Sequence, residues 1–81
     1  MGEKVSKAKE YELKNDIVLQ KFAKESEKKI IKAIARDKTL AYDKERLKED
    51  YGFDIENLTD EMIEASKEVS YNFAQQDSLL K

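Results

Sequence analysis

Carboxylates are the most frequent side chains in this sequence that could take part in catalysis or metal binding. There are 18 Asp and Glu residues but no histidine and no cysteine, so the commonest acid–base group and the best nucleophile are both missing. Two acidic pairs lie about one helical turn apart, Glu45 with Glu49 and Glu61 with Glu64. In so acidic a chain, such pairs are typical of a solvated helix face. We therefore expect no enzyme activity, no catalytic residues, no small-molecule substrate and no cofactor.

One stretch, DYGFDIENLTDE, partly matches the spacing of a calcium-binding loop. Asp50, Asp54 and Glu61 occupy positions 1, 5 and 12 of that pattern. Position 3 is Gly52, which has no side-chain ligand, and position 6, where the sharp turn requires glycine, is Ile55. The mismatch favours an ordinary loop between helices, and we predict no metal site.

The composition favours an all-α protein. Proline is absent, glycine occurs twice, and 42% of the residues are charged while 40% are hydrophobic, which is enough apolar material to fold. A chain of 81 residues supports one modest core, so we predict a single small helical domain over residues 1–81. No apolar run approaches the roughly 20 residues of a membrane span, so we expect no membrane association. The cysteine-free, lysine-rich composition suggests a cytoplasmic protein.

Apolar periodicity predicts a long first helix over residues 3–36. At about 100° per residue its apolar positions fall on one side and most lysines on the other. A weak interruption at residues 14–16 is an alternative, because Asn and Asp side chains compete for backbone hydrogen bonds. Beyond Arg36 the apolar stripe is rotated by roughly 120°, so one straight helix cannot bury both stripes. We predict a break at residues 36–39, where Asp37 or Thr39 can cap the next helix. A single bent helix is the alternative.

Local signals place two further helices at residues 39–51 and 60–79. Gly52 follows a helical stretch and accepts the left-handed conformation of a C-terminal cap. Thr59, followed by two acids, is a typical N-cap. The predicted fold is a three-helix arrangement with a long N-terminal helix and an antiparallel C-terminal helical hairpin around Gly52.

The predicted core is small for so long a first helix, which favours a homodimer or an obligate complex with another protein. Tyr11, Tyr42 and Tyr71 are hard to bury in a chain of this size and are expected to contact a partner. The predicted protein interface consists of the apolar positions on the helical stripes: Leu19, Phe22, Ile30, Ile34, Leu40, Leu47, Tyr51, Met62, Val69 and Phe73.

Charge is distributed unevenly along the chain. Residues 1–38 hold 11 Lys or Arg and 7 Asp or Glu, a net charge of +4, whereas residues 39–81 hold 5 and 11, a net charge of −6. A row of cations on the first helix could bind phosphates without sequence preference. The row consists of Lys7, Lys14, Lys21, Lys28, Lys32 and Arg36.

Two functions follow from these patterns. We expect a non-catalytic protein-interaction module, such as an adaptor, inhibitor or regulatory protein, that packs its helices against itself or a larger protein. The alternative is a nucleic-acid accessory protein that uses the lysine row. An isoelectric point near 5.2 and only two arginines weigh against that alternative.

Overall fold

A computed structural model describes residues 7–79, which form helices joined by short connections. Within this range there is no β-strand, and the predicted all-α class is confirmed. The α-helices are α1 (Lys7–Leu19), α2 (Glu25–Arg36), α3 (Lys44–Tyr51) and α4 (Asp60–Leu79), with 3-10 turns at Lys38–Tyr42 and Ile55–Asn57.

The predicted first helix is divided into α1 and α2. The division lies at residues 20–24, whereas residues 14–16, the alternative position for an interruption, are inside α1. The amide of Phe22 donates to the carbonyl of Leu19 (3.0 Å), and Lys24 is extended (φ −83°, ψ 131°). Because the Phe22 side chain is buried, its packing compensates for the helical bonds lost here. Residues 3–6 of the predicted helix lie outside the described residues.

The start of α2 is stabilised by charge. Glu25 and Glu27 lie in its first turn, where carboxylates interact favourably with the helix dipole. Each also pairs with a lysine three residues away: Lys28 Nζ lies 3.5 Å from Glu25 and Lys24 Nζ lies 3.9 Å from Glu27. Exposed pairs of this kind contribute a few tenths of a kcal/mol, so they support the helix start without determining it.

The break predicted after Arg36 is confirmed. Asp37 leaves the helical conformation, and its carboxylate accepts from the Thr39 amide at 3.1 Å, which caps the following 3-10 turn. The segment predicted as one helix from residue 39 to 51 is this turn followed by α3. Asp43 caps α3 by accepting from the Arg46 amide at 3.2 Å.

The Gly52 and Thr59 signals are also confirmed. Gly52 adopts the left-handed conformation (φ 61°, ψ 31°), and its amide donates to carbonyls of the last turn of α3. The amide of Phe53 donates to the Leu47 carbonyl at 3.0 Å, which completes the cap. At the other end of the loop, the Thr59 hydroxyl accepts from the Met62 amide at 3.2 Å. This loop joins α3 and α4 into the predicted C-terminal helical hairpin.

The central element of the fold is α4, which packs against both α1 and α2. Asn72 of α4 donates to Asn15 of α1 at 2.8 Å, and both side chains are buried. Further along α1, Val18 lines the same cleft as Ala65, which precedes Asn72 on α4. Residue numbers rise on α1 as they fall on α4, so the two helices are antiparallel.

The packing of α2 on α4 has the opposite direction. Ile34 lies beside Ile63 and Ser66, and two residues later Arg36 pairs with Asp77 at 3.0 Å. Numbers rise together on both helices, so α2 is parallel to α4 and antiparallel to α1. Residues 37–59 are therefore the connection that returns the chain to the start of α4.

The core lies between these three helices and is closed by the connection. Its fully buried large side chains come from α2 (Ile30 and Ile31), the first 3-10 turn (Leu40), α3 (Leu47) and α4 (Val69). Each such side chain contributes about 1.5–3 kcal/mol when it is removed from water. The short connection thus contributes to the core as well as linking the long helices.

Candidate interaction surface

The structure places most of the predicted interface residues inside the chain. Tyr51 is exposed at the end of α3, and Phe73 is half-buried beneath Arg36, whose guanidinium lies 3.9 Å from the ring centroid. Periodicity identified these positions because most of them face a hydrophobic environment, and that environment is the chain's own core. The other eight are buried: Leu19, Phe22, Ile30, Ile34, Leu40, Leu47, Met62 and Val69.

The lysine row is not continuous in three dimensions. Lys7 and Lys14 lie on α1 and Lys21 just after it, whereas Lys28, Lys32 and Arg36 lie on α2, which runs in the opposite direction. Lys32 and Arg36 share a groove with the acidic side chains Glu12 and Asp16 of α1. The division at residues 20–24 thus breaks the row, and the cations of α2 face carboxylates.

The acid–base groups with shifted pKa values belong to a helix cap. Hydrogen bonds from Thr39 and Arg46 lower the pKa of the Asp37 carboxyl below its ordinary value, and the bond to Asp37 raises the pKa of Arg46. Arg46 Nη1 lies 2.9 Å from Asp37 Oδ2, at the surface. These shifts follow from the cap and its ion pair. Within residues 7–79, no three acidic side chains are grouped so that they could hold a metal ion.

Helix α1 carries apolar side chains on two opposite faces. Its inward pair, Val18 and Leu19, is buried, whereas Leu13 and Ile17 are 47% and 62% exposed. Leu13 and Ile17 are four residues apart and therefore adjacent on the helix surface. By contrast, α2 is strongly amphipathic, with its buried side chains on one face. The outward apolar pair is therefore a particular feature of α1.

The side of α4 next to α1 carries an exposed aromatic residue among acids. Glu64, Glu68, Tyr71 and Gln75 follow one another at spacings of three and four residues, so they lie along one face. Tyr71 is 61% exposed. This face points away from α2, because α2 packs on the flank of α4 that includes Ile63.

The exposed strips of α1 and α4 lie at the same height in the bundle. The hydrogen bond between Asn15 and Asn72 sets that height. Ile17 is two residues beyond Asn15, about 3 Å along the axis of α1. Tyr71 is one residue before Asn72, about 1.5 Å along α4, and because the helices are antiparallel both displacements point the same way. Ile17 and Tyr71 are therefore level. We call this surface the outer α1/α4 face; it consists of Glu10, Leu13, Lys14, Ile17, Lys21, Glu64, Glu68, Tyr71 and Gln75.

One end of the outer face continues into an open cleft of about 510 Å³. Its floor includes Phe22 and Ala65, and its rim carries Lys21 with the acids Asp60, Glu61 and Glu64 of α4. Asp60 and Glu61 lie in the first turn of α4, where their charge also stabilises the helix. Because Lys21 and Glu64 belong to both, the cleft and the face form one surface.

The three tyrosines expected to contact a partner differ in exposure. Tyr71 is exposed on the outer face and Tyr42 is 86% exposed elsewhere, whereas Tyr11 is half-buried beneath Lys14 Nζ (4.7 Å from the ring centroid), so partner contact by Tyr71 and Tyr42 stays a prediction. Leu13 and Ile17 were missed. Their spacing of four residues was the available signal, but both residues lie outside the apolar stripe predicted for a helix that continues to residue 36.

No protein-family model, curated protein or solved structure matches this chain. Among residues 7–79, no helix combines the length and the apolar character needed to cross a membrane.

Proposed function

We propose that this chain is a non-catalytic protein-interaction module that acts through the outer α1/α4 face. The observation that carries the proposal is the outward apolar pair of α1, Leu13 and Ile17, level with the exposed Tyr71 of α4. Apolar and aromatic side chains at the centre of a surface, surrounded by charged ones, are typical of protein interfaces. The module would act as an adaptor, inhibitor or regulatory protein, by helix packing against a larger protein or a second copy.

The surrounding side chains support a protein partner over a small molecule. The two exposed strips are convex helix surfaces, and the cleft at one end of the face is open and rimmed mainly by carboxylates, whereas small-molecule sites are concave, mostly apolar and bury most of the ligand. Lys14, Lys21, Glu64 and Glu68 supply charges of both signs around the apolar centre. Such a rim contributes to the choice and orientation of a partner. The cysteine-free composition leads us to propose a cytoplasmic location for this activity.

The experiment is a pull-down from the native source with identification of co-purifying proteins. The tagged wild type is compared with Ile17→Lys, which places a charge at the centre of the face, and with the matched control Tyr42→Lys, which changes an exposed aromatic residue elsewhere. Because both side chains are exposed, each variant should keep its stability within about 0.5 kcal/mol. A partner retained by wild type and by Tyr42→Lys but lost by Ile17→Lys supports the proposal. A partner retained equally by all three refutes this face as its site.

Nucleic-acid binding remains the alternative proposal. The folded chain supports it less well than the sequence does, because the lysine row is split between α1 and α2. It predicts binding to duplex DNA at low salt that falls steeply as salt rises, because released counterions drive such binding. Replacement of Lys14 and Lys21 by Gln should then reduce the slope. Indifference to DNA at low salt would eliminate the alternative.

A further inference from the structure

We propose that the outer α1/α4 face binds a second copy of this chain across a two-fold axis that runs along the seam between α1 and α4. This inference rests on the proposed function, because it names the occupant of the same surface. The argument for a second copy is charge complementarity within the face. Its α1 side carries Lys14 and Lys21 against the single acid Glu10. Its α4 side carries Glu64 and Glu68, of which Glu64 also pairs with Lys67 of its own helix at 3.1 Å in an exposed ion pair.

A two-fold axis along the seam brings unlike charges together. Rotation by half a turn about this axis exchanges left and right, so α1 of one copy lies over α4 of the other. By the heights that the Asn15–Asn72 bond sets, Lys21 of each copy then lies between Glu64 and Glu68 of its partner, twice in one dimer, as an isologous interface requires, while Lys14 lies beside Gln75. The other two-fold axis in the plane of the face, perpendicular to the helices, would place α1 on α1 and the lysines against each other. Like charges in apposition disfavour that arrangement.

The same axis also matches the apolar side chains. Rotation about an axis parallel to the helices leaves every height unchanged. Ile17, which is level with Tyr71 in its own chain, therefore lies opposite Tyr71 in the other chain. Lys21 lines the same cleft as Glu64 within one chain, so its height corresponds to that of Glu64 in the second copy. Each half of the interface therefore consists of Ile17 of one copy against Tyr71 of the other, with Lys21 beside Glu64.

The size of the face indicates a reversible dimer. A standard interface removes about 800 Å² per partner, whereas the whole chain exposes 6158 Å². The outer α1/α4 face consists of fewer residues than the roughly 20–30 that each partner contributes to a standard interface. The fraction of dimer should therefore depend on protein concentration and on salt, since the charged rim is solvent-exposed.

The test uses two complementary charge variants and sedimentation velocity over a concentration series. The variant Lys14→Glu with Lys21→Glu makes both strips acidic, and the variant Glu64→Lys with Glu68→Lys makes both strips basic. Each variant alone should dimerise more than about tenfold more weakly than wild type, because like charges then face each other in both halves of the interface. An equimolar mixture of the two should recover dimer, because every acidic strip then meets a basic one.

Far-ultraviolet circular dichroism checks that each variant is folded. The control variant Tyr42→Lys lies outside the face and should dimerise as wild type does. Recovery in the mixture supports the proposal even if one variant is slightly less stable. A wild type that stays monomeric at every concentration, or a mixture that stays monomeric while wild type dimerises, refutes the second copy. In either case a pull-down partner that depends on Ile17 would leave the proposed function standing, so the two failures are distinguishable.

Discussion

The hydrogen bond between Asn15 and Asn72 should be among the most sensitive points of this fold. The two side chains are only 3% and 4% exposed, and the Asn72 amide donates to the Asn15 oxygen at 2.8 Å. Asn15→Ala removes this acceptor and leaves a buried amide group without it, which costs about 1–3 kcal/mol. For a chain of this size, each kcal/mol lowers the melting temperature by about 4–8 °C.

The size of the interaction can be isolated with a double-mutant cycle of Asn15→Ala and Asn72→Ala. Each single variant leaves one buried polar group unpaired, whereas the double variant removes both, so its loss of unfolding free energy should be about 1 kcal/mol smaller than the sum of the single losses. Urea unfolding followed by circular dichroism gives the four free energies. Asn57→Ala, at an exposed asparagine in the second 3-10 turn, is the matched control and should change stability by less than about 0.5 kcal/mol. Single losses that add within about 0.3 kcal/mol would show that the two amides do not act as a pair.

Three further substitutions test other parts of the fold. Gly52→Ala should lower the unfolding free energy measured in urea by about 1–2 kcal/mol. Gly52 has φ +61°, where a residue with a Cβ is strained, and no neighbouring atom lies within 4 Å of the added Cβ, so backbone strain is the whole cost. An unchanged stability would show that this strain is absent. Leu47→Ala should cost about 2–5 kcal/mol by the same measurement, because the side chain is 0% exposed, and a smaller loss would mean that the core collapses around the gap. Asp37→Asn should change the pH dependence of the melting temperature. The pKa of Asp37 is lowered by Thr39 and Arg46, so its contribution is present above the ordinary Asp pKa of about 3.9 and is lost as the pH falls through the folded-state pKa. A wild-type advantage over Asp37→Asn that persisted in strong acid would refute that assignment.

The sequence predicted the helix boundaries that have a local chemical cause. Gly52 supplies a left-handed cap, Thr59 a hydroxyl acceptor and Asp37 a carboxylate acceptor, and each works within a few residues of its position. The boundary at residues 20–24 has no such cause. It contains neither glycine nor proline, and Phe22 is held by contacts with the folded bundle rather than by its neighbours in sequence. Periodicity in a single sequence predicts a continuous helix through such a segment, because the interaction that interrupts the helix is tertiary packing, which the local sequence does not show.

The candidate surface was harder to predict for a related reason. Periodicity shows that a position such as Ile34 faces apolar surroundings, but it does not distinguish the chain's own core from the surface of a partner. The distinction depends on how many other helices are available to cover that position. Once residues 20–24 reverse the chain, α2 covers stripes that one long helix would have left open. Leu13 and Ile17, which lay off the predicted stripe, then become the uncovered apolar positions of α1.

The buried asparagine pair and the exposed face are connected through the orientation of α1. Its inward pair and its outward pair, Leu13 and Ile17, are aliphatic side chains of similar size, and burying either pair gains about 1.5–3 kcal/mol per side chain. Apolar burial alone therefore hardly distinguishes α1 from the same helix rotated by half a turn. Rotation would bring Asn15 to the surface, leave Asn72 buried without its partner at a cost of about 1–3 kcal/mol, and turn Glu10, which shares the outward stripe with Leu13 and Ile17, towards the core. Polar side chains thus select the inward face of α1, and that selection leaves its second apolar face outside, where a partner can bind it.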